Sequence, residues 1–184
     1  MKIAVTGTPG TGKTAVAKDL AKSLKVTYVD LNPLLLKDFK LDYDDDQETW
    51  EVDIDAAAKK LTFEEDCVID GHISHALDVD VVVVLRCRPV KLVVRLLKRH
   101  WKLSKIEENT EAEGLNVISD EVWDASAEAS AEAETKLRVI EIDNTNKTLK
   151  GVVQEIITYL NDPNKKSPRF DFVEQLPISN LKDI

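Results

Sequence analysis

The eight residues GTPGTGKT, from Gly7 to Thr14, have the types and spacing to hold phosphate. They satisfy G-x-x-x-x-G-K-[ST] with both outer glycines in place. Gly7, Gly10 and Gly12 let the backbone turn tightly and aim its N–H groups inward. Lys13 reaches toward the β- and γ-phosphates of a bound nucleotide, and Thr14 offers a hydroxyl to Mg²⁺. Ala15 opens the helix-forming run that follows, whose N-terminus favours an anion. The chemistry implied is phosphoryl transfer from a Mg²⁺-bound nucleoside triphosphate.

A second group lies in IDGHISH, from Ile69 to His75. Asp70 ends an apolar strand and falls beside the phosphate loop, where it can hold Mg²⁺ through water or orient Thr14. His72 stands two residues on, placed to bind a phosphate, hold a water or move a proton. His75 reads as structural or surface. Four of the six arginines, Arg86, Arg88, Arg95 and Arg99, fall in one stretch of fourteen residues. Arginine grips phosphate with a rigid fork, so this cluster is a candidate for matching charge on the γ-phosphate; the alternative is a solvated basic helix face. Trp101 follows, poised to close over a base or to pack a lid. Asp30 ends a second strand at the same crevice.

These groups need a scaffold of strands feeding helices. Strands are expected over 1–6, 26–30, 67–70, 80–85 and 138–142. Helices are expected over 13–24, 31–39 (Pro33 in the first turn), 56–61 (capped by Asp55), 89–98, 104–113 (a Ser104/Glu107 capping box), 118–136 and 149–160. The 104–113 helix, rich in lysine and glutamate, reads as a mobile surface lid. Trp50 to Ile54 alternates like an extended segment, after acidic residues at Asp42, Asp44, Asp45, Asp46 and Glu48. Strands alternating with helices imply an α/β fold with a parallel sheet covered on both faces. Residues 162–184 read as a tail, loosely packed or partner-bound. The 184 residues suit one domain. A net charge of −9 argues against non-specific nucleic-acid binding. No apolar run approaches a membrane span, and the first strand starts too early for a signal peptide. Cys67 and Cys87 read as reduced core thiols, which places the protein in the cytoplasm.

Taken together, GTPGTGKT at 7–14, IDGHISH at 69–75, LRCRP at 85–89, RHWKLSKIEENTEAE at 99–113 and EIDNT at 141–145 resemble the adenylate kinase 6 family, a branch of the P-loop nucleoside monophosphate kinases. The resemblance implies a P-loop NTPase fold with a five-stranded parallel sheet in order 2-3-1-4-5. It implies one domain over 1–160 with a monophosphate-binding segment at about 31–65, a lid at about 99–115 and a tail at 161–184. It implies phosphoryl transfer from Mg-ATP to AMP or a similar monophosphate, with ATPase activity, in small ribosomal subunit maturation; the alternative is an ATPase assembly factor or nucleotide-gated binding module for a uS11-type ribosomal protein, with little kinase activity. Lys13, His72 and Arg99 would be catalytic. Gly10, Gly12, Lys13, Thr14, Ala15, Arg99 and Asn144 would hold ATP, and Thr14 and Asp70 the Mg²⁺. It also implies binding to a uS11-type small-subunit ribosomal protein, transient contact with the pre-ribosome, and a monomer or a heterodimer with that protein. Acidic contacts would come from Asp42 to Glu48 and from Glu107 to Glu113. Two departures stand out. The 31–65 segment has no arginine, only Lys37, Lys40, Lys59 and Lys60, and His100 stands where a lid glycine is expected.

Overall fold

Runs of β-branched residues bounded by turn residues become the strands of one parallel sheet. The computed structural model describes residues 1–44, 49–63, 65–132 and 137–176. In chain order the elements are β1 (Lys2–Thr6), α1 (Lys13–Leu24), β2 (Thr27–Asp30), α2 (Leu31–Asp38), β3 (Lys40–Asp44), β4 (Thr49–Val52) and α3 (Ile54–Lys60). Then follow β5 (Cys67–Asp70), β6 (Val81–Arg86), α4 (Pro89–Leu97), α5 (Leu103–Gly114), α6 (Val117–Glu132), β7 (Arg138–Asp143) and α7 (Leu149–Asn161). The sheet order is β2-β5-β1-β6-β7, with every pairing parallel. Counting only these five strands, that is the order 2-3-1-4-5. Register brings Asp30 opposite Asp70 and Arg86 opposite Asp143, so the carboxyl ends of the strands share one edge.

Alternation along the strands sorts two cores. Ile3, Val5, Val81, Val83, Leu85, Ile140 and Ile142 face α1 and α7, where they meet Val16, Leu20, Val152 and Ile156. Ala4, Ile69, Val82 and Val84 face the other way, toward Leu31, Leu35, Ala57 and Val122. Each fully buried aliphatic side chain contributes about 1.5–3 kcal/mol, so both faces lock the sheet beneath the site. No helix among the described residues is long and apolar enough to cross a membrane.

Several local expectations are corrected. Helix α3 is capped by Asp53, whose carboxylate accepts from Ala56 N at 2.8 Å, and Asp55 lies inside the first turn. Helix α5 begins at Leu103 with Lys102 as its N-cap, so Ser104 is already helical and forms no capping box. One face of that helix, at Ile106, Thr110, Glu113 and Gly114, is buried against the domain, while Leu103, Ser104, Glu108 and Glu111 are exposed. Residues 40–52 hold an antiparallel hairpin, β3–β4, where only the second half was expected to be extended. Asp45, Asp46 and Glu48 of the acidic patch, and residues 133–136 of the expected long helix, lie outside the described residues. Residues 162–176 run back over the β6–β7 side. Phe172 is buried there, Leu176 packs on Gly114, and Ser167 Oγ accepts from Glu141 N at 3.0 Å.

Candidate active site

The loop between β1 and α1 takes the shape its glycines allow. Gly7, Gly10 and Gly12 have φ of 133°, 97° and 103°, values that a side chain strains to adopt. A Cβ on Gly7 would stand 2.4 Å from the Leu85 carbonyl oxygen. Thr11 N and Thr11 Oγ1 donate to Thr8 O at 3.2 and 2.8 Å, closing the turn. Lys13 Nζ donates to Gly7 O at 2.7 Å and to Thr8 O at 3.2 Å, which seats the ammonium inside the loop. Burial lowers its pKa to about 8, against the pull of Asp70 and Glu113 and with the push of Arg99.

Above the loop lies a cavity of about 620 Å³, lined by Gly10, Gly12, Lys13, Thr14, Ala15, Asp70, His72 and Arg99 among others. Of the residues that the resemblance assigns to catalysis, ATP and Mg²⁺, all except Asn144 therefore share one space. Asn144 lines an adjoining hollow of about 370 Å³ with Arg95, Lys98 and Leu149, and Gly10, Gly12, Ala15 and Arg99 border both. Asn144 Nδ2 also donates to Thr11 O at 2.6 Å, tying the loop after β7 to the phosphate loop. Asp70 is buried and accepts from Tyr28 Oη at 3.0 Å. Burial, then Asp70, raises the Tyr28 pKa and keeps it a donor.

Although His72 is exposed at the cavity mouth, desolvation by the surrounding protein, then Lys13 and His75, lowers its pKa and favours the neutral ring near pH 7. Its backbone is held from below. Thr6 Oγ1 donates to His72 O at 2.7 Å, which leaves that hydroxyl to accept from His75 Nδ1 at 3.0 Å. His75 Nε2 stands 3.4 Å from Glu121 Oε2.

The arginine cluster divides. Arg99 is exposed and reaches the cavity. Arg95 donates to Thr11 O, Asn144 O and Thr145 O, at 3.3, 2.7 and 3.2 Å, and so braces the two loops. Arg88 is half exposed, 3.9 Å from Asp143. Arg86 is only 1% exposed and faces Glu113 and Glu141 rather than the cavity, which removes it from the candidate phosphate ligands. Glu113 is buried by the same pairing and drops out of the acidic surface. His100 adopts φ of 58°, the left-handed conformation that a glycine takes without strain.

Lys18 and Asn32 also line the cavity and were not singled out from the sequence. Lys18 lies four residues after Thr14 on α1, a spacing that puts both on one helix face. The oxygen donors of Thr14 and Asp70 suit a hard cation. Among the described residues no group of three or more His, Cys, Asp or Glu could hold a metal alone. That donor set fits Mg²⁺ arriving with nucleotide phosphates as its remaining ligands.

Residues 3–116 match the family described as AAA domain. A protein of Methanocaldococcus jannaschii named "Putative adenylate kinase" is 34% identical over 181 residues, covering 95% of this chain and 94% of its own. One of the same name from Pyrococcus abyssi is 41% identical over 172 residues, covering 90% and 87%. Among solved structures, a deoxyadenosine kinase from M. mycoides superposes with a TM-score of 0.57 at 18% identity, covering 88% of this chain and 98% of that one. A gluconokinase from Sinorhizobium meliloti gives 0.54 at 16%, covering 87% and 91%. At such identities these two likenesses speak to the fold, a P-loop sheet flanked by helices. With the loop, the sheet order and relatives matched over nearly their whole length, the chain belongs to the AAA domain family and to the family of these adenylate-kinase-named relatives.

Proposed function

We propose that the protein transfers the γ-phosphoryl group of Mg-ATP to AMP or a similar monophosphate, and hydrolyses ATP when water takes the acceptor position. The observation that carries this reading is the single cavity shared by Lys13, Thr14, Asp70, His72 and Arg99. The amides of the loop and the start of α1 bind the phosphate chain. Lys13 bridges to the transferring group. Arg99, exposed at the cavity wall, swings onto the same group, where its charge counts most in the transition state. Thr14 and Asp70 are the residues to hold Mg²⁺, which when bound neutralises charge on the β- and γ-oxygens. Asn144 and Arg95 border the hollow beside the loop and are placed for the base. The acceptor enters from the side of Asp30 and Asn32. AMP as acceptor is supported by the names of the relatives.

Hydrolysis has its own support. The 31–65 segment brings no arginine to grip an acceptor phosphate. A neutral His72 in the cavity is suited to accept a proton from water. The role in small ribosomal subunit maturation, with a uS11-type protein as partner, rests on the family resemblance. It is supported by the −9 net charge, which suits a basic partner, and by exposed acids such as Asp42 and Glu108. In this reading the protein works in the cytoplasm, as a monomer or paired with that ribosomal protein.

The test is ATP consumption by the purified protein with Mg²⁺, with and without AMP, resolving ADP from phosphate. AMP-dependent ADP without phosphate establishes the kinase. Phosphate release indifferent to AMP establishes the ATPase and refutes transfer as the working activity. Neither product refutes both.

A further inference from the structure

Arg86 ends β6 directly behind the phosphate loop, and its guanidinium is saturated. Nε donates to Glu113 Oε1 at 2.8 Å. Nη1 donates to Glu141 Oε1 at 2.7 Å and to Phe170 O at 3.0 Å. Nη2 donates to Glu113 O at 2.9 Å and to Asn116 Oδ1 at 2.6 Å. The Phe172 ring covers the guanidinium, with its centroid 5.0 Å from Cζ. Glu141 accepts further from Ser119 Oγ, Trp123 Nε1 and Phe170 N, at 3.0, 2.9 and 3.1 Å. These contacts fix Arg86 from several elements, including the C-terminal segment.

Glu113 carries that rigidity to the loop. Its Oε1 accepts from Arg86 Nε and from Cys87 N at 2.9 Å, and its Oε2 accepts from Thr8 Oγ1 at 2.5 Å. Thr8 and Glu113 are each 2% exposed, so water does not compete for this bond. Thr8 is one of the variable positions of the motif, yet its carbonyl is an acceptor for both Thr11 and Lys13. The orientation of that one peptide therefore sets both the turn and the seat of the ammonium. Flanking glycines leave the loop backbone soft, so something outside it must hold Thr8 in place. A bare carboxylate beneath an anion-binding loop would oppose phosphate, and the Arg86 guanidinium, which Glu113 shares with Glu141, offsets part of that charge.

We infer that Glu113 is a positioning residue of the ATP site, acting through the Thr8 hydroxyl to pre-organise the phosphate loop and the Lys13 ammonium. The C-terminal segment around Phe170 and Phe172 is the far anchor of the same device. This rests on the ATP site proposed above. It also gives α5 a positioning role, since its last turn is pinned to the loop.

The test is Mg-ATP binding by calorimetry on the full chain, with steady-state kinetics beside it. Thr8→Val keeps the shape and removes the hydroxyl. Loss of a hydrogen bond to a charged acceptor should weaken ATP binding about tenfold. KM for ATP should rise with it, kcat should change less, and Thr8→Ser should restore the wild-type value. Glu113→Leu, which can neither accept from nor donate to Thr8, should weaken binding as well, and adding Thr8→Val to it should cost no more, because the two act through one contact. Wild-type affinity in Thr8→Val, or losses that multiply in the double variant, overturns the inference and leaves the ATP site standing. Failure of the wild-type protein to bind Mg-ATP overturns the ATP site itself, and this inference with it.

Discussion

Raising the pH should weaken ATP binding through one proton on Lys13. The ammonium sits inside the loop, hydrogen-bonded to Gly7 O and Thr8 O, and burial brings its pKa to about 8. About three quarters of the molecules then carry the charge at pH 7.5, but only about 3% at pH 9.5. A triphosphate binds the charged form and drives its proton affinity back up. The dissociation constant should therefore climb about 25-fold across that window, or about 1.9 kcal/mol. His72 faces the same cavity but lies below its usual range and stays neutral throughout. Stability of the free protein moves the opposite way. From about pH 8 to the ordinary lysine value the unfolded chain holds more protons at this position, so the Lys13 contribution to stability grows with pH. The assay is calorimetric titration with Mg-ATP at half-unit steps, in two buffers of different ionisation enthalpy to count the proton taken up. Lys13→Arg, charged at every pH used, should flatten the profile. A constant affinity from pH 7.5 to 9.5 in the wild type, without proton uptake, refutes the argument that burial controls this lysine.

Four further outcomes are expected. Arg86→Met strands Glu113 and Glu141 in the interior without their cation and should cost about 3–5 kcal/mol in urea unfolding; a cost under about 1 kcal/mol contradicts the buried network. Gly7→Ala meets the Leu85 carbonyl at 2.4 Å, so ATP affinity should fall at least about tenfold with helix content by circular dichroism retained, and normal binding would show that the loop has another shape. Arg99→Ala should lower kcat by about 10²–10³ with thermal stability unchanged; an unaltered kcat removes Arg99 from the phosphate-binding set. His72→Ala should reduce phosphate release more than AMP-dependent ADP formation, and equal losses would refute a role in activating water.

What could be read from the sequence was what local pattern determines. The glycine motif, the β-branched runs and the strand-end position of Asp70 specify the loop, the sheet and one wall of the cavity without reference to distant residues. What stayed hidden depends on partners far along the chain. Arg86 looked like one more member of a phosphate-binding cluster, because the glutamates that claim it lie 27 and 55 residues away. Tyr28 gave no sign of its bond to Asp70, 42 residues on. Helix α5 looked like a charged surface lid because Ile106 and Thr110 are few, and its lysines and glutamates dominate the composition. Asp53 and Asp55 are equally good caps by type; only the backbone, extended at Asp53, decides between them. The residues after 161 carry proline, lysine and serine like a tail, and the two phenylalanines that dock there matter only once Arg86 offers them a surface.

The bond from Thr8 to Glu113 spans 105 residues, and that from Asn144 to Thr11 spans 133. During synthesis the phosphate loop thus leaves the ribosome 105 and 133 residues ahead of these two supports. At roughly 5–20 residues per second, on the order of 5–30 s separates the loop from the residues that brace it. Through that interval the nascent chain carries the complete nucleotide motif without the means to hold its shape. In the proposed function ATP is then a ligand of the folded chain rather than a template for its early folding, and a chain truncated before Asn144 should be blind to nucleotide.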